Sequence, residues 1–217
     1  MGDLNSFGIL KKAYDSTILI AGSFILTIIN METINHNAIV ITGGPGMGKT
    51  AIIEKLSEKG YSCVKESGRH IIQEQLQKGG TSLPWADKKG FAYEMLKMGK
   101  EDYKDALCSN SLVFFDRAIP DVIGYLKLCN LPIHKNVWES ARRNRYHKTV
   151  FITPPWKEIF LNDAERKQSF EEAIATYEMM FQVYSDLNYA VVEIPRTAVE
   201  KRIDFIFRIL KANDFQF

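Results

Sequence analysis

From residue 38 onward, short apolar runs alternate with longer segments whose apolar residues recur at helical spacing. The runs at 38–41, 61–66, 111–115, 149–153 and 190–194 are rich in Val, Ile and Phe and predict strands. Helical spacing predicts helices over 50–59, 67–78, 87–108, 120–128, 136–145, 169–187 and 197–211. The punctuation agrees: Gly60 and Gly79-Gly80 follow two helices, and Pro120 opens another. Residues 81–85 carry turn residues and predict a loop. Apolar strands alternating with helices imply a parallel sheet covered on both faces. The expected fold is an α/β, three-layer α/β/α sandwich with a mainly parallel five-stranded sheet.

Residues 1–30 do not fit this alternation. Thr17 to Ile29 is strongly apolar and follows Lys11-Lys12. It is shorter than the ~20 residues a membrane span needs, and no A-x-A cleavage site follows it. We expect an N-terminal apolar extension over 1–30, outside the native domain if Met31 is the working start, and a P-loop domain over 31–217. An extra core helix and a weak membrane-surface anchor are the alternatives. Composition adds little: 46% hydrophobic, 25% charged and a net charge of +2 describe an ordinary globular chain. That charge gives no reason to expect nucleic-acid binding. Cys63, Cys108 and Cys129 form no C-x-x-C pair, and the four histidines have no metal-ligand spacing. These features predict a cytoplasmic protein with reduced thiols and no stable membrane insertion.

The stretch Gly43-Gly44-Pro45-Gly46-Met47-Gly48-Lys49-Thr50 changes the picture most. It reads G-x-x-x-x-G-K-T and joins a predicted strand to a predicted helix, the setting of a phosphate-binding P-loop. The glycines let backbone N–H groups turn toward phosphate oxygens, and the helix dipole adds positive potential there. Lys49 can reach the β- and γ-phosphates, and the Thr50 hydroxyl can ligate Mg²⁺.

Asp116 closes an apolar strand, where a P-loop protein keeps its Mg²⁺-holding acid. Arg117 follows it, where many hydrolytic ATPases place a water-polarising glutamate; this favours transfer to a bound acceptor. Glu66 ends the second strand and would face the same crevice at the carboxyl ends of the sheet. It is a candidate base for an acceptor hydroxyl or, equally, a helix N-terminal charge. Arg69 can clamp substrate or phosphate. Two basic stretches follow, 142–148 (Arg142, Arg143, Arg145, His147, Lys148) and Arg166-Lys167. The first reads as a solvated face; Arg166 reads as part of a lid that neutralises the transferring phosphoryl group. Trp85, Phe91 and Tyr93 read as core before acceptor wall. Asp121-x-x-Gly124 mimics a GTPase element but falls inside a predicted helix, and no N-K-x-D motif occurs.

The stretches ITGGPGMGKTAIIEKL, KESGRHIIQEQL, FFDRAIPDVIGYL, FITPPWKEIFLNDAERKQSFEEA and VVEIPRTAVEKRIDFI together resemble the NadR-like P-loop family, often labelled an AAA-type ATPase domain. That family includes the ribosylnicotinamide-kinase domain of bacterial NadR. An animal relative is linked to ion-channel trafficking and binds GTP and phosphoinositides. The resemblance spans about residues 36–211. It implies that Gly43 to Thr50 bind nucleotide phosphates and that Asp116 sits at the Mg²⁺ position. Met47, Ala51 and Ala118 depart from the usual serine, threonine and glycine. The matching stretches have no counterpart of NadR's adenylyltransferase and DNA-binding portions, so the ribosylnicotinamide assignment is not carried over.

The sequence therefore predicts a Mg²⁺-dependent small-molecule kinase with ATP as co-substrate and an unidentified acceptor. Lys49, Glu66, Asp116 and Arg166 are its candidate catalytic residues. Gly43 to Thr50 would hold the nucleoside triphosphate, Arg69 and Arg117 the substrate, and Thr50 and Asp116 the metal. A slow ATPase or GTPase switch and a nucleotide- or phosphoinositide-binding module are the rivals.

Overall fold

The structure, a computed structural model, describes residues 33–160 and 168–212. The predicted extension over residues 1–30 lies outside these. Five strands form one sheet: β1 (Ala38–Gly43), β2 (Ser62–Val64), β3 (Val113–Asp116), β4 (Thr149–Thr153) and β5 (Ala190–Glu193). Their order is β2-β3-β1-β4-β5 and every pairing is parallel. Seven α-helices of the described part accompany the sheet: α1 (Lys49–Glu58), α2 (Ser67–Lys78), α3 (Lys88–Leu107), α4 (Ile119–Leu128), α5 (Lys135–Arg143), α6 (Phe170–Asp186) and α7 (Val199–Ala212). Among the described residues, no helix is long and apolar enough to cross a membrane.

The three layers follow from strand alternation. Successive side chains of a strand point to opposite faces. On β1, Ile39 and Ile41 join Phe114 and Phe151 in a core closed by Ile52 and Leu56 of α1 and Ile203, Ile206 and Leu210 of α7. Ala38 and Val40 point the other way, with Val113, Phe115 and Val150, against α3, α4 and α6. The central strand is buried on both faces, which is why it reads as a continuous apolar run. A smaller cluster of Ile71, Ile72, Leu83 and Phe91 ties α2 to α3.

The predicted elements stand, with trimmed ends. The second strand is shorter than 61–66 because it is an edge strand that pairs only with β3. The helix predicted over 136–145 stops at Arg143. Beyond it, the Arg145 carbonyl accepts from the Asn35 N–H at 2.7 Å and the Tyr103 hydroxyl at 2.9 Å, so Asn144 and Arg145 run extended.

The loop after β1 packs tightly against α6. A Cβ built on Gly44 would lie 2.3 Å from the Ala173 carbonyl oxygen, a backbone atom that cannot rotate away. Gly44→Ala should therefore displace the loop or the first turns of α6. Overpacking of this kind costs about 1–3 kcal/mol. Urea denaturation should show a lower midpoint; an unchanged midpoint would mean that the contact relaxes freely.

Candidate functional site

The site sits at the carboxyl end of β1, beside the reversal of strand order, where open parallel sheets leave a crevice. Gly43, Gly46 and Gly48 adopt positive φ, and Gly48 forms the N-cap of α1 without a side-chain cap. The first-turn N–H groups thus face an anion-binding concavity. Lys49 is 5% exposed, and its ammonium donates to the Gly44 carbonyl at 2.7 Å and the Gly43 carbonyl at 3.3 Å. The loop predicted as a P-loop has that shape.

Two cavities meet here. The larger, about 550 Å³, is lined by Pro45 to Ala51, with Glu54, Glu66, Arg69, Trp156, Phe160, Thr197 and Arg202 among its other residues. Met47 does more than fill the loop. It is buried, and its Sδ accepts from the Trp156 N–H at 3.2 Å, which fastens the segment after β4 to the loop. The smaller cavity, about 320 Å³, has apolar walls from Ile72, Pro84, Trp85, Phe91, Met95, Tyr125, Leu128 and Met180. Its polar groups are Glu66, Arg117, Asp121, Gln168, Glu172 and Thr176. Pro45, Glu66 and Gln168 border both cavities.

A buried charge network fixes this boundary. Arg117 Nε donates to Glu66 Oε1 at 2.9 Å, and Nη1 donates to Asp121 Oδ1 at 3.0 Å. Asp121 Oδ1 also accepts from Thr42 Oγ1 at 2.6 Å. Its Oδ2 accepts from the Tyr184 hydroxyl at 2.6 Å and the Ala118 N–H at 2.9 Å. Burial alone would lower the pKa of Arg117, but the Glu66 and Asp121 carboxylates outweigh that and raise it. Burial, then the Asp121 charge, pushes the Tyr184 hydroxyl well above its ordinary range. Arg117 itself takes φ 71°, a conformation rare for a side chain of its size.

The predicted residues fall out as follows. Arg69 and Thr50 line the larger cavity. Glu66 stands at the N-cap position of α2 but makes no side-chain cap; its carboxylate turns to Arg117. Arg117 lines the smaller cavity while held by two carboxylates. Asp116 is buried and borders a third, 30 Å³ cavity and neither large one. The Thr50 hydroxyl is an oxygen donor lining the larger cavity, suited by chemistry to a hard cation such as Mg²⁺. Arg166 lies outside the described residues.

Two readings need correction. The stretch 142–148 is not one solvated basic face. Arg145 stacks over Tyr189 at 3.9 Å, and His147 is buried, with Nδ1 accepting from the Thr149 N–H. The aromatic residues divide: Phe91 packs in the α2–α3 core and lines the smaller cavity, Trp85 is 59% exposed at its rim, and Tyr93 faces solvent. Two residues went unrecognised. Asp121 falls inside a predicted helix, where nothing local marks it as buried. Arg202 falls on the buried face of α7 with Ile203, Ile206 and Leu210, and a cation within an apolar stripe was the available signal.

The parallel sheet and the glycine-rich loop that leads into α1 define the P-loop fold. The chain belongs to the AAA domain family, whose model matches residues 38–202. Solved structures agree with the NadR-like resemblance. The chain is similar to NadR in complex with NR at 16% identity and TM-score 0.60, covering 80% of this chain and 51% of that one. It is similar to deoxyadenosine kinase from M. mycoides at 18% identity and TM-score 0.54, covering 82% and 100%. Shikimate kinase from Acinetobacter baumannii in complex with shikimate matches at 16% identity and TM-score 0.52, covering 85% and 97%. At these identities the likeness establishes the fold. A comparison with curated proteins finds no match.

The network predicts its own weak point. Asp121→Asn removes the charge that balances Arg117 on the side of β1. Breaking a buried ion pair costs about 3–5 kcal/mol. The variant should lose roughly that much stability in urea denaturation, and the exposed control Glu101→Gln should lose little. Equal losses in the two would detach Asp121 from the stability of this site.

Proposed function

We propose that the protein is a Mg²⁺-dependent small-molecule kinase that transfers the γ-phosphoryl group of ATP to a bound hydroxyl or phosphate acceptor. The observation that carries this reading is the pair of cavities meeting at Pro45, Glu66 and Gln168. A hydrolase needs room for a nucleotide and a water. A transferase needs a second, shaped chamber in line with the first.

In this reading the P-loop holds the triphosphate in the larger cavity, and Lys49 moves from the loop carbonyls to the phosphates. Thr50 would hold Mg²⁺, with Asp116 the acid proposed to assist it. The ion supplies charge neutralisation of the β- and γ-phosphates. The apolar chamber takes the acceptor's body. Glu66 orients its hydroxyl and accepts the proton, and Arg117 keeps Glu66 in place. Arg69 sits where it can clamp a phosphate, and Arg166 remains the proposed lid arginine. Hydrophobic walls around the acceptor also exclude competing water. A reducing, ATP-rich cytoplasm suits such an enzyme.

The test is a coupled ADP-release assay across nucleosides, nucleotides and phosphorylated vitamins, with product mass measured. ATP consumption alone should be slow and should rise well over 10-fold with the true acceptor, where 10-fold equals about 1.4 kcal/mol of barrier. Lys49→Ala should abolish turnover. Glu66→Gln should spare ATP affinity and lower the acceptor-dependent rate on the order of a hundredfold. Brisk hydrolysis that no acceptor changes would favour the ATPase switch, and tight binding without turnover would favour the binding module.

A further inference from the structure

Arg202 is 2% exposed, and its guanidinium borders the larger cavity from the first turns of α7. Nη2 donates to the Met47 carbonyl at 3.2 Å and Nη1 to the Gly48 carbonyl at 3.4 Å. Trp156 lies 5.7 Å from it. Nε is buried without a hydrogen-bond partner, and no carboxylate among the described residues forms an ion pair with this side chain. Gly48 permits the approach, since a Cβ there would lie 2.8 Å from Nη1. Burial lowers the pKa of the group, but an arginine stays charged. A buried cation with no counter-charge is costly to the folded protein.

Peptide geometry shows what the charge does. In a trans peptide the C=O and the N–H point in opposite directions. The Met47 carbonyl shares its peptide with the Gly48 N–H, and the Gly48 carbonyl shares its peptide with the Lys49 N–H. Both carbonyls point at Arg202, so both N–H groups point away from it. Hydrogen-bonded groups polarise one another, by roughly 10–30% per bond.

We propose that Arg202 is a positioning residue for nucleotide phosphates, acting through the Met47–Gly48 and Gly48–Lys49 peptide groups, which it polarises through their carbonyls. The bound phosphates complete the charge balance that the described residues leave open at this side chain. The inference rests on the reading of the larger cavity as a nucleoside-triphosphate site. The Arg202 guanidinium need not touch the ligand. It strengthens N–H donors that do, so it favours anionic ligands over neutral ones of the same shape.

Isothermal titration of ATP and adenosine against the parent, Arg202→Met and Arg202→Lys tests it. Arg202→Met should weaken ATP about 10-fold or more, where 10-fold is about 1.4 kcal/mol, and should change adenosine by less than about threefold. Arg202→Lys should restore most of the preference for ATP. The ligand-free melting temperature of Arg202→Met should not fall, because a costly charge has been removed. Equal ATP affinity in Arg202→Met and parent, or equal losses for ATP and adenosine, would overturn the proposal. If Arg202→Met does not fold, Arg202→Gln, which still donates to the carbonyls without charge, decides the same comparison. Failure of both neutral variants to fold would assign Arg202 a structural role and overturn the proposal. A parent that binds no triphosphate would instead remove the reading of the cavity itself, and the proposal with it.

Discussion

The Asp121 carboxylate is the point on which the arrangement of this site depends. At 6% exposure, a carboxylate must have its oxygens matched by donors or the fold loses stability. Asp121 finds four, and they come from β1, the turn after β3, and α6. Thr42 lies one residue before the P-loop, so this carboxylate governs where the loop leaves the sheet. Arg117 is drawn into a left-handed conformation, which costs about 1–2 kcal/mol for such a residue. Two ion pairs offset that strain. Through Arg117 the constraint reaches Glu66, and so the wall between the two cavities.

Helix α6 carries a second constraint. It closes on the P-loop at Gly44 and Ala173, and one and two turns later Thr176 and Met180 line the smaller cavity. Its start is set by a reciprocal capping box, in which Ser169 Oγ accepts from the Glu172 N–H and Glu172 Oε2 accepts from the Ser169 N–H. One rigid element therefore supports the phosphate loop and shapes the neighbouring chamber. A shift of α6 would alter both cavities together, as a reaction between two bound molecules requires.

Local pattern made most of this legible. The five strands, the helix after Gly48 and the parallel sheet follow from apolar periodicity and glycine placement, because each signal sits within a few residues of the element it specifies. Asp121 was not legible, because its partners Thr42 and Tyr184 lie 79 and 63 residues away. A charged residue in the first turn of a helix is usually a solvated dipole partner, and only the assembled core shows it to be buried. The stretch 142–148 failed for the opposite reason. Its charges look exposed in one dimension, but His147 and Arg145 are drawn in by hydrogen bonding and by the Tyr189 ring. Trp85 and Phe91 could not be divided between core and cavity until α2 and α3 were in place.

The pairing of Glu66 with Arg117 bears on how transfer would proceed under the kinase reading. An ion-paired carboxylate accepts a hydrogen bond well but favours its charged form, so it holds a proton less readily. A strong base is not what phosphoryl transfer demands. Its transition state is loose, the bond to the leaving oxygen is largely broken, and the incoming oxygen needs direction more than early deprotonation. A carboxylate locked between two cavities by a buried arginine gives that direction. It has few rotamers to lose when the acceptor arrives, so less of the binding energy goes into ordering it. Hydrolysis makes the other demand, since a small mobile water must be held and activated in the same place. Position 117 carries no carboxylate for that task, and its guanidinium is already committed to Glu66 and Asp121. Rigidity at this boundary therefore favours an acceptor whose own body fills the apolar chamber.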